Sequence, residues 1–123
     1  MQTLALLGST GSIGQTALKV AKRFNIQIEL LVAGKNIKLL NTQIQEFSPS
    51  YVVIADKKDL AGVQGRGAKI FYGNEGILEA LSLCSSSLVL NALVGFIGLE
   101  PTIHSIALGK QVALANKESL VTA

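Results

Sequence analysis

Three glycines in one short string, Gly8-Ser9-Thr10-Gly11-Ser12-Ile13-Gly14, are the residues of this chain best placed to do chemistry with backbone alone. An apolar run, residues 4–7, precedes them directly. A buried strand that turns into a helix through spaced glycines bares its N–H groups to a pyrophosphate. In that arrangement Gly8 allows the tight turn, Gly11 lets the backbone approach the ligand, and Gly14 lets the helix pack close on the sheet. The helix N-terminus adds unpaired donors and a partial positive charge. The string therefore reads as a dinucleotide site. Its spacing is G-x-x-G-x-x-G rather than G-x-G-x-x-G, and glycine is common in loops, so the reading rests on the strand before it and the helix after it.

The next strand end selects the cofactor. An NAD site places an Asp or Glu about 20 residues past the glycine turn, against the ribose 2′-OH. Counting from Gly14 leads to Gly34, and Ala33-Gly34-Lys35-Asn36 holds no carboxylate. A cation and an amide there suit a 2′-phosphate, and the reading is NADP. A loop lysine without a ligand is the plainer reading of Lys35. Elsewhere the chemistry is thin. Asp56, Asp59, Glu75, Glu79 and Glu100 lack partners at metal-ligand spacing and read as solvated faces or helix caps, with Glu100 beside Pro101 suiting a helix N-terminus. His104, the only histidine, lies in a helix without triad or metal partners, and Cys84 ends an apolar stripe as a packing residue.

The elements that hold these loops follow from hydrophobic period. Ala17, Val20, Ala21 and Phe24 mark a helical face after the glycine turn, with Lys19, Lys22 and Arg23 on its solvated side. Residues 28–33 form an apolar run, and Ile37, Leu40, Ile44 and Phe47 carry a second helical face. Ser48-Pro49-Ser50 breaks the chain before the run Tyr51-Val52-Val53-Ile54. A weak helix follows Asp56 and ends in the glycines at 62, 65 and 67, residues 68–71 read as a strand, and Asn74 caps a helix through Ile77, Leu78, Leu81 and Cys84. Residues 88–90 and 112–114 are further strands, and Pro101 sits in the first turn of the helix between them. Short apolar runs alternating with helices predict an α/β fold: a doubly wound, mostly parallel, Rossmann-like sheet with helices on both faces. Ligands bind such sheets beyond the carboxyl ends of the strands. The segments there are residues 8–14, 34–36, Asp56, Gly73-Asn74, 91–98 and Asn116-Lys117-Glu118, rich in Gly and Asn as loops are in general.

Composition bounds the function class. The 123 residues make one domain without internal repeat or low-complexity linker. Hydrophobic residues are 49% and aromatics 5%, yet no run approaches the roughly 18 residues of a membrane span. There is no signal-peptide pattern, and one cysteine excludes an internal disulfide, which together predict a cytoplasmic setting. A net charge of +3, without clustered Arg and aromatics, argues against nucleic acid and suits an anionic small molecule.

Two later segments are more specific: Asn91-Ala92-Leu93-Val94-Gly95-Phe96-Ile97-Gly98-Leu99-Glu100-Pro101-Thr102, and Ala113-Leu114-Ala115-Asn116-Lys117-Glu118-Ser119-Leu120-Val121. With the glycine turn and Gly34-Lys35-Asn36, they make the whole chain resemble the 1-deoxy-D-xylulose 5-phosphate reductoisomerases. Those enzymes make 2-C-methyl-D-erythritol 4-phosphate in the non-mevalonate route to isoprenoids. The resemblance implies that Thr10, Gly11, Ser12 and Ile13 hold the NADPH pyrophosphate. It places Gly34, Lys35 and Asn36 around the 2′-phosphate, Asn116 and Glu118 near the nicotinamide end, and Lys117 on the sugar phosphate. The residues alone would leave Lys117 a surface lysine.

The implied reaction is a metal-assisted rearrangement of 1-deoxy-D-xylulose 5-phosphate followed by reduction with NADPH. A divalent cation (Mg²⁺, Mn²⁺ or Co²⁺) polarises the substrate's oxygens. The family's metal carboxylates follow the NKES segment, so the expectation is that residues 1–123 are an NADP-binding domain truncated before the metal-binding catalytic domain, with neither catalytic nor metal-ligating residues of its own. The expectation is also that the fragment is inactive, and that the full-length family forms homodimers. Two alternatives stay open: the NADP-binding domain of an aspartate-semialdehyde-dehydrogenase-like enzyme, and a non-enzymatic nucleotide-sensing module.

Overall fold

The computed structural model describes residues 2–115. It contains six strands, β1 (Thr3–Leu7), β2 (Gln27–Val32), β3 (Tyr51–Ile54), β4 (Lys69–Tyr72), β5 (Leu88–Asn91) and β6 (Gln111–Leu114). Four α-helices join them: α1 (Ser12–Arg23), α2 (Ile37–Phe47), α3 (Gly73–Leu83) and α4 (Leu99–Ala107). The strands form one sheet in the order β4-β3-β2-β1-β5-β6, and every pairing is parallel. The expected doubly wound sheet is the observed one.

β1 is rich in leucine rather than β-branched residues, so intrinsic preference does not select it as a strand. Burial on both faces does: Ala5, Leu6 and Leu7 have no exposed surface. Each such leucine contributes about 1.5–3 kcal/mol relative to exposure. One face of the sheet packs on α1 and α2 through Leu18, Ala21, Leu40 and Ile44. The other packs on α3 through Ile77, Ala80, Leu81 and Cys84, and α4 lies against α3 and β6. Cys84 is the packing residue its position suggested, and burial pushes its thiol pKa up, so it stays protonated and unreactive.

Two local readings need correction. α1 buries Gly14, Leu18 and Ala21, whereas Val20 and Phe24 are exposed. The reason is Gly14, whose docking on the turn rotates the buried stripe away from the larger side chains. The weak helix expected after Asp56 forms as a 3-10 helix, Lys57–Gly62, capped by the Asp56 carboxylate accepting from Lys58 N at 3.1 Å. It buries none of its residues and so lacks the apolar face that sustains an α-helix. Asn74 lies inside α3, whose N-cap is Tyr72 and makes no side-chain cap. Gly73, at φ +74, makes the turn from β4 into the helix with no intervening loop, one residue ahead of the expected cap.

Ile28 packs on the α1–α2 side and Leu30 on the α3 side, which breaks strand alternation. A bulge causes this: Leu4 pairs with Ile28 and Ala5 with Leu30, leaving Glu29 out of the β1 register. The Glu29 carboxylate takes up the amides of Ser85 and Ser86 at 2.9 and 2.8 Å and the Ser86 hydroxyl at 2.6 Å. Burial alone would raise the Glu29 pKa, but these hydrogen bonds outweigh it and the net shift is downward.

Candidate functional site

The strand order reverses between β1 and β5, since β1 leads through β2 and β3 to β4 while β5 returns to β1's other side. A crevice opens beyond the carboxyl ends of strands at such a point. Three loops meet there. The glycine turn leaves β1, residues 33–36 leave β2, and residues 92–98 leave β5.

The turn is held from below and left open above. The amides of Gly8 and Ser9 both donate to the Val32 carbonyl, at 2.8 and 2.9 Å, so the end of β2 is the floor of the turn. The Ser9 carbonyl accepts from Gln43 Nε2 of α2 at 2.9 Å. Gly8 has φ +90, and a Cβ there would stand 2.9 Å from the Ala92 carbonyl oxygen, which brings the β5 loop against the turn. At Gly14 a Cβ would stand 2.0 Å from the Gly8 oxygen, so only glycine lets α1 dock. At Gly11 the nearest atom is 3.8 Å away, leaving open space over the backbone. Gly8 makes the tight turn and Gly14 the close helix packing that their places in the string predicted.

Above this floor, the amides of Thr10, Gly11, Ser12 and Ile13 make no hydrogen bond to any carbonyl or side chain among the described residues. Gly11, Ser12 and Ile13 are exposed, and Thr10 is half-buried. The first turn of α1 carries no acidic residue to compete for its positive end. The geometry can hold a doubly charged diphosphate with backbone donors alone.

Gly34, Lys35 and Asn36 are all exposed beside that turn, because β2 pairs with β1. A Cβ at Gly34 would meet nothing within 4 Å. Asn36 is the N-cap of α2, its Oδ1 accepting from Leu39 N at 3.2 Å, which leaves its NH₂ for a ligand. α2 likewise has no acid in its first turn. A phosphate at residues 34–36 would meet a helix N-terminus, a lysine and an amide.

The β5 loop is organised by Asn91, which is buried at 1% exposure. Its Nδ2 donates to the Gly98 carbonyl at 2.8 Å and lies 2.6 Å from Thr102 Oγ1, and its Oδ1 accepts from Leu93 N at 3.0 Å. The Asn91 carbonyl accepts from Ala115 N at 3.0 Å, drawing the end of β6 to the same edge of the sheet. Asn116, Lys117 and Glu118, the remaining expected contacts, lie outside the described residues. His104 faces away from this edge and pairs with Ser82 Oγ at 2.9 Å. Among the described residues no group of three or more His, Cys, Asp or Glu could hold a metal ion. No helix among them is long and apolar enough to cross a membrane. Gln43 and Glu29 escaped the sequence reading. A polar residue between Leu40 and Ile44 on the apolar face of α2 was the signal for Gln43, and nothing local signals the bulge at Glu29.

These features define a Rossmann-like α/β domain that gathers free backbone amides, a lysine and an asparagine at the switch point of its sheet. The sequence profile of the 1-deoxy-D-xylulose 5-phosphate reductoisomerases matches residues 4–123. The chain belongs to the 1-deoxy-D-xylulose 5-phosphate reductoisomerase family. It is 56% identical over 119 residues to the enzyme of that name from Wolinella succinogenes, covering 96% of this chain and 33% of the relative. With the Helicobacter pylori enzyme it shares 53% over 120 residues, 98% of this chain and 33% of the relative. The fold superposes on the Zymomonas mobilis reductoisomerase in complex with NADPH with a TM-score of 0.86 at 34% identity, covering 99% of this chain and 34% of that one. A reductoisomerase in complex with NADPH, fosmidomycin and magnesium gives 0.87 at 32%, covering 98% and 31%. The chain spans about a third of the length of the curated relatives it matches.

Proposed function

We propose that this chain is the NADPH-binding part of an enzyme that rearranges and reduces 1-deoxy-D-xylulose 5-phosphate to 2-C-methyl-D-erythritol 4-phosphate. The observation that carries the reading is the row of unpaired amides at Thr10, Gly11, Ser12 and Ile13, set beside the carboxylate-free loop Gly34-Lys35-Asn36. The first group binds the pyrophosphate, and the second binds the 2′-phosphate that separates NADP from NAD. NADPH supplies the hydride that reduces the rearranged aldehyde. The chain's part is to fix the dinucleotide, with Asn116 and Glu118 toward its nicotinamide end and Lys117 toward the sugar phosphate.

Residues 1–123 form the cofactor domain in this reading, and the divalent cation is held elsewhere. Among the described carboxylates, Asp56 caps the 3-10 helix, Glu29 is taken up by Ser85 and Ser86, and Glu46 pairs with Lys22. The family match favours this reading over an aspartate-semialdehyde-dehydrogenase-like enzyme or a nucleotide sensor. A cytoplasmic location suits the single buried, free cysteine, and a homodimer is the assembly that the family resemblance implies.

Calorimetric titration with NADPH and NADH tests the cofactor assignment. NADPH binds more tightly to the wild-type chain, and Lys35→Ala weakens NADPH about tenfold while leaving NADH nearly unchanged, as expected for one exposed charge-assisted hydrogen bond. Preference for NADH would overturn the assignment. These 123 residues alone, given substrate and Mg²⁺, bind NADPH without turnover; sustained turnover would refute the division of labour.

A further inference from the structure

We infer that Gln43 is a positioning residue for the cofactor, aiming the Thr10 amide at the pyrophosphate without touching it. This rests on the NADPH reading above and deepens it. Ser9 has no exposed surface, and both of its backbone groups are pinned: the amide to Val32 O at 2.9 Å, and the carbonyl to Gln43 Nε2 at 2.9 Å. The carbonyl of Ser9 and the amide of Thr10 belong to one planar trans peptide and point in opposite directions. A hydrogen bond that fixes the first therefore fixes the second. Because Gln43 pulls the Ser9 carbonyl into the core, Thr10 N–H is turned out of it, toward the open side of the glycine turn. That amide is among those without a partner among the described residues.

Packing alone does not account for a glutamine at 43. It is 5% exposed on the apolar face of α2 between Leu40 and Ile44, and its Oε1 is buried without a partner, as is Ser9 Oγ. An apolar side chain would avoid that unpaired oxygen. The amide's orientation is set by the same bond, since the reverse orientation would place Oε1 against the Ser9 oxygen. Gln43 also lies on the helix whose N-cap is Asn36, so the pyrophosphate turn and the 2′-phosphate loop share one rigid support.

The test uses the protein made from its complete gene, with Gln43→Met, which keeps the length and removes the donor, and Gln43→Asn, which keeps an amide too short to reach Ser9. Two probes are titrated: NADPH, and adenosine 2′-monophosphate, which carries the 2′-phosphate but no pyrophosphate. Both variants weaken NADPH about tenfold, the loss of one hydrogen bond to a charged group, and change adenosine 2′-monophosphate less than about twofold. In amide NMR spectra the NADPH-induced shift of Thr10 collapses while that of Lys35 persists. Equal weakening of both probes, or unchanged NADPH affinity in the two variants, would overturn the positioning role. Failure of the wild type to bind NADPH would instead refute the cofactor reading itself.

Discussion

Gly11 and Gly14 sit three residues apart in one turn, yet alanine at each should fail for opposite reasons. At Gly14 the added carbon would stand 2.0 Å from the Gly8 oxygen and 2.8 Å from Ser9 Cα, both backbone atoms that no rotamer change can move. Relief requires α1 to back away by about 1 Å, an overpacking cost of about 1–3 kcal/mol. For a domain of this size that lowers the melting temperature by about 5–10 °C. The same shift moves the amides of Ser12 and Ile13 off the phosphate. Lengthening a bond from about 2.9 to 3.9 Å ends it, which costs about 1.5–3 kcal/mol, or roughly 10- to 150-fold in NADPH affinity. At Gly11 the backbone is extended, φ −75 and ψ 172, and the nearest atom lies 3.8 Å away. Alanine there is tolerated or stabilises by up to about 1 kcal/mol through the unfolded chain. Its methyl group occupies the space the diphosphate needs, so NADPH affinity falls at least about tenfold with the fold intact. Circular dichroism melts and calorimetric titration separate the two. A Gly14→Ala protein that melts like the wild type, or a Gly11→Ala protein that binds NADPH like the wild type, would refute this division of roles.

Two further perturbations reach beyond the turn. Glu29→Gln removes a carboxylate whose pKa the Ser85 and Ser86 hydrogen bonds hold below the ordinary 4.5 despite burial. Because the folded carboxyl titrates below the unfolded one, its stabilisation is complete above the ordinary value and is lost as pH falls through the folded value. The gap in urea midpoint between wild type and variant is therefore wide at neutral pH and narrows on acidification; a gap independent of pH would show that the charge plays no part. Asn91→Ala removes the three hydrogen bonds that a side chain only 1% exposed makes to Leu93 N, the Gly98 carbonyl and Thr102 Oγ1. The expected loss is about 2–3 kcal/mol in chemical denaturation, and a loss below about 0.5 kcal/mol, the range of ordinary surface substitutions, would contradict the accounting.

What the sequence made legible depended on whether the cause was local. The strands of the α/β sheet were readable because burial on both faces writes a continuous apolar run, and the glycine turn because Gly8 and Gly14 each answer a local steric demand. The Gly34-Lys35-Asn36 loop was readable from its spacing to that turn. The weak helix after Asp56 was legible down to its end at Gly62, but its 3-10 winding was not, since a run of charge and small residues does not show whether tertiary packing will sustain an α-helical face. The stripe of α1 was misplaced because Gly14, which carries almost no hydrophobic signal, decides which side docks. The bulge at Glu29 had no signature at all, its partners lying 56 and 57 residues further along the chain.

The same distinction explains how a turn of small residues acquires a fixed shape. Gly8, Gly11 and Gly14 give the turn freedom, and freedom alone would leave its amides unaimed. Order is imported from distant elements: the Val32 carbonyl beneath Gly8 and Ser9, Gln43 beneath the Ser9 carbonyl, and the Ala92 backbone against Gly8. Every one of these supports lies on the core side, so the donors of Thr10 to Ile13 are left to face outward. A phosphate arriving there meets amides already oriented and need not itself bear the entropy of ordering them.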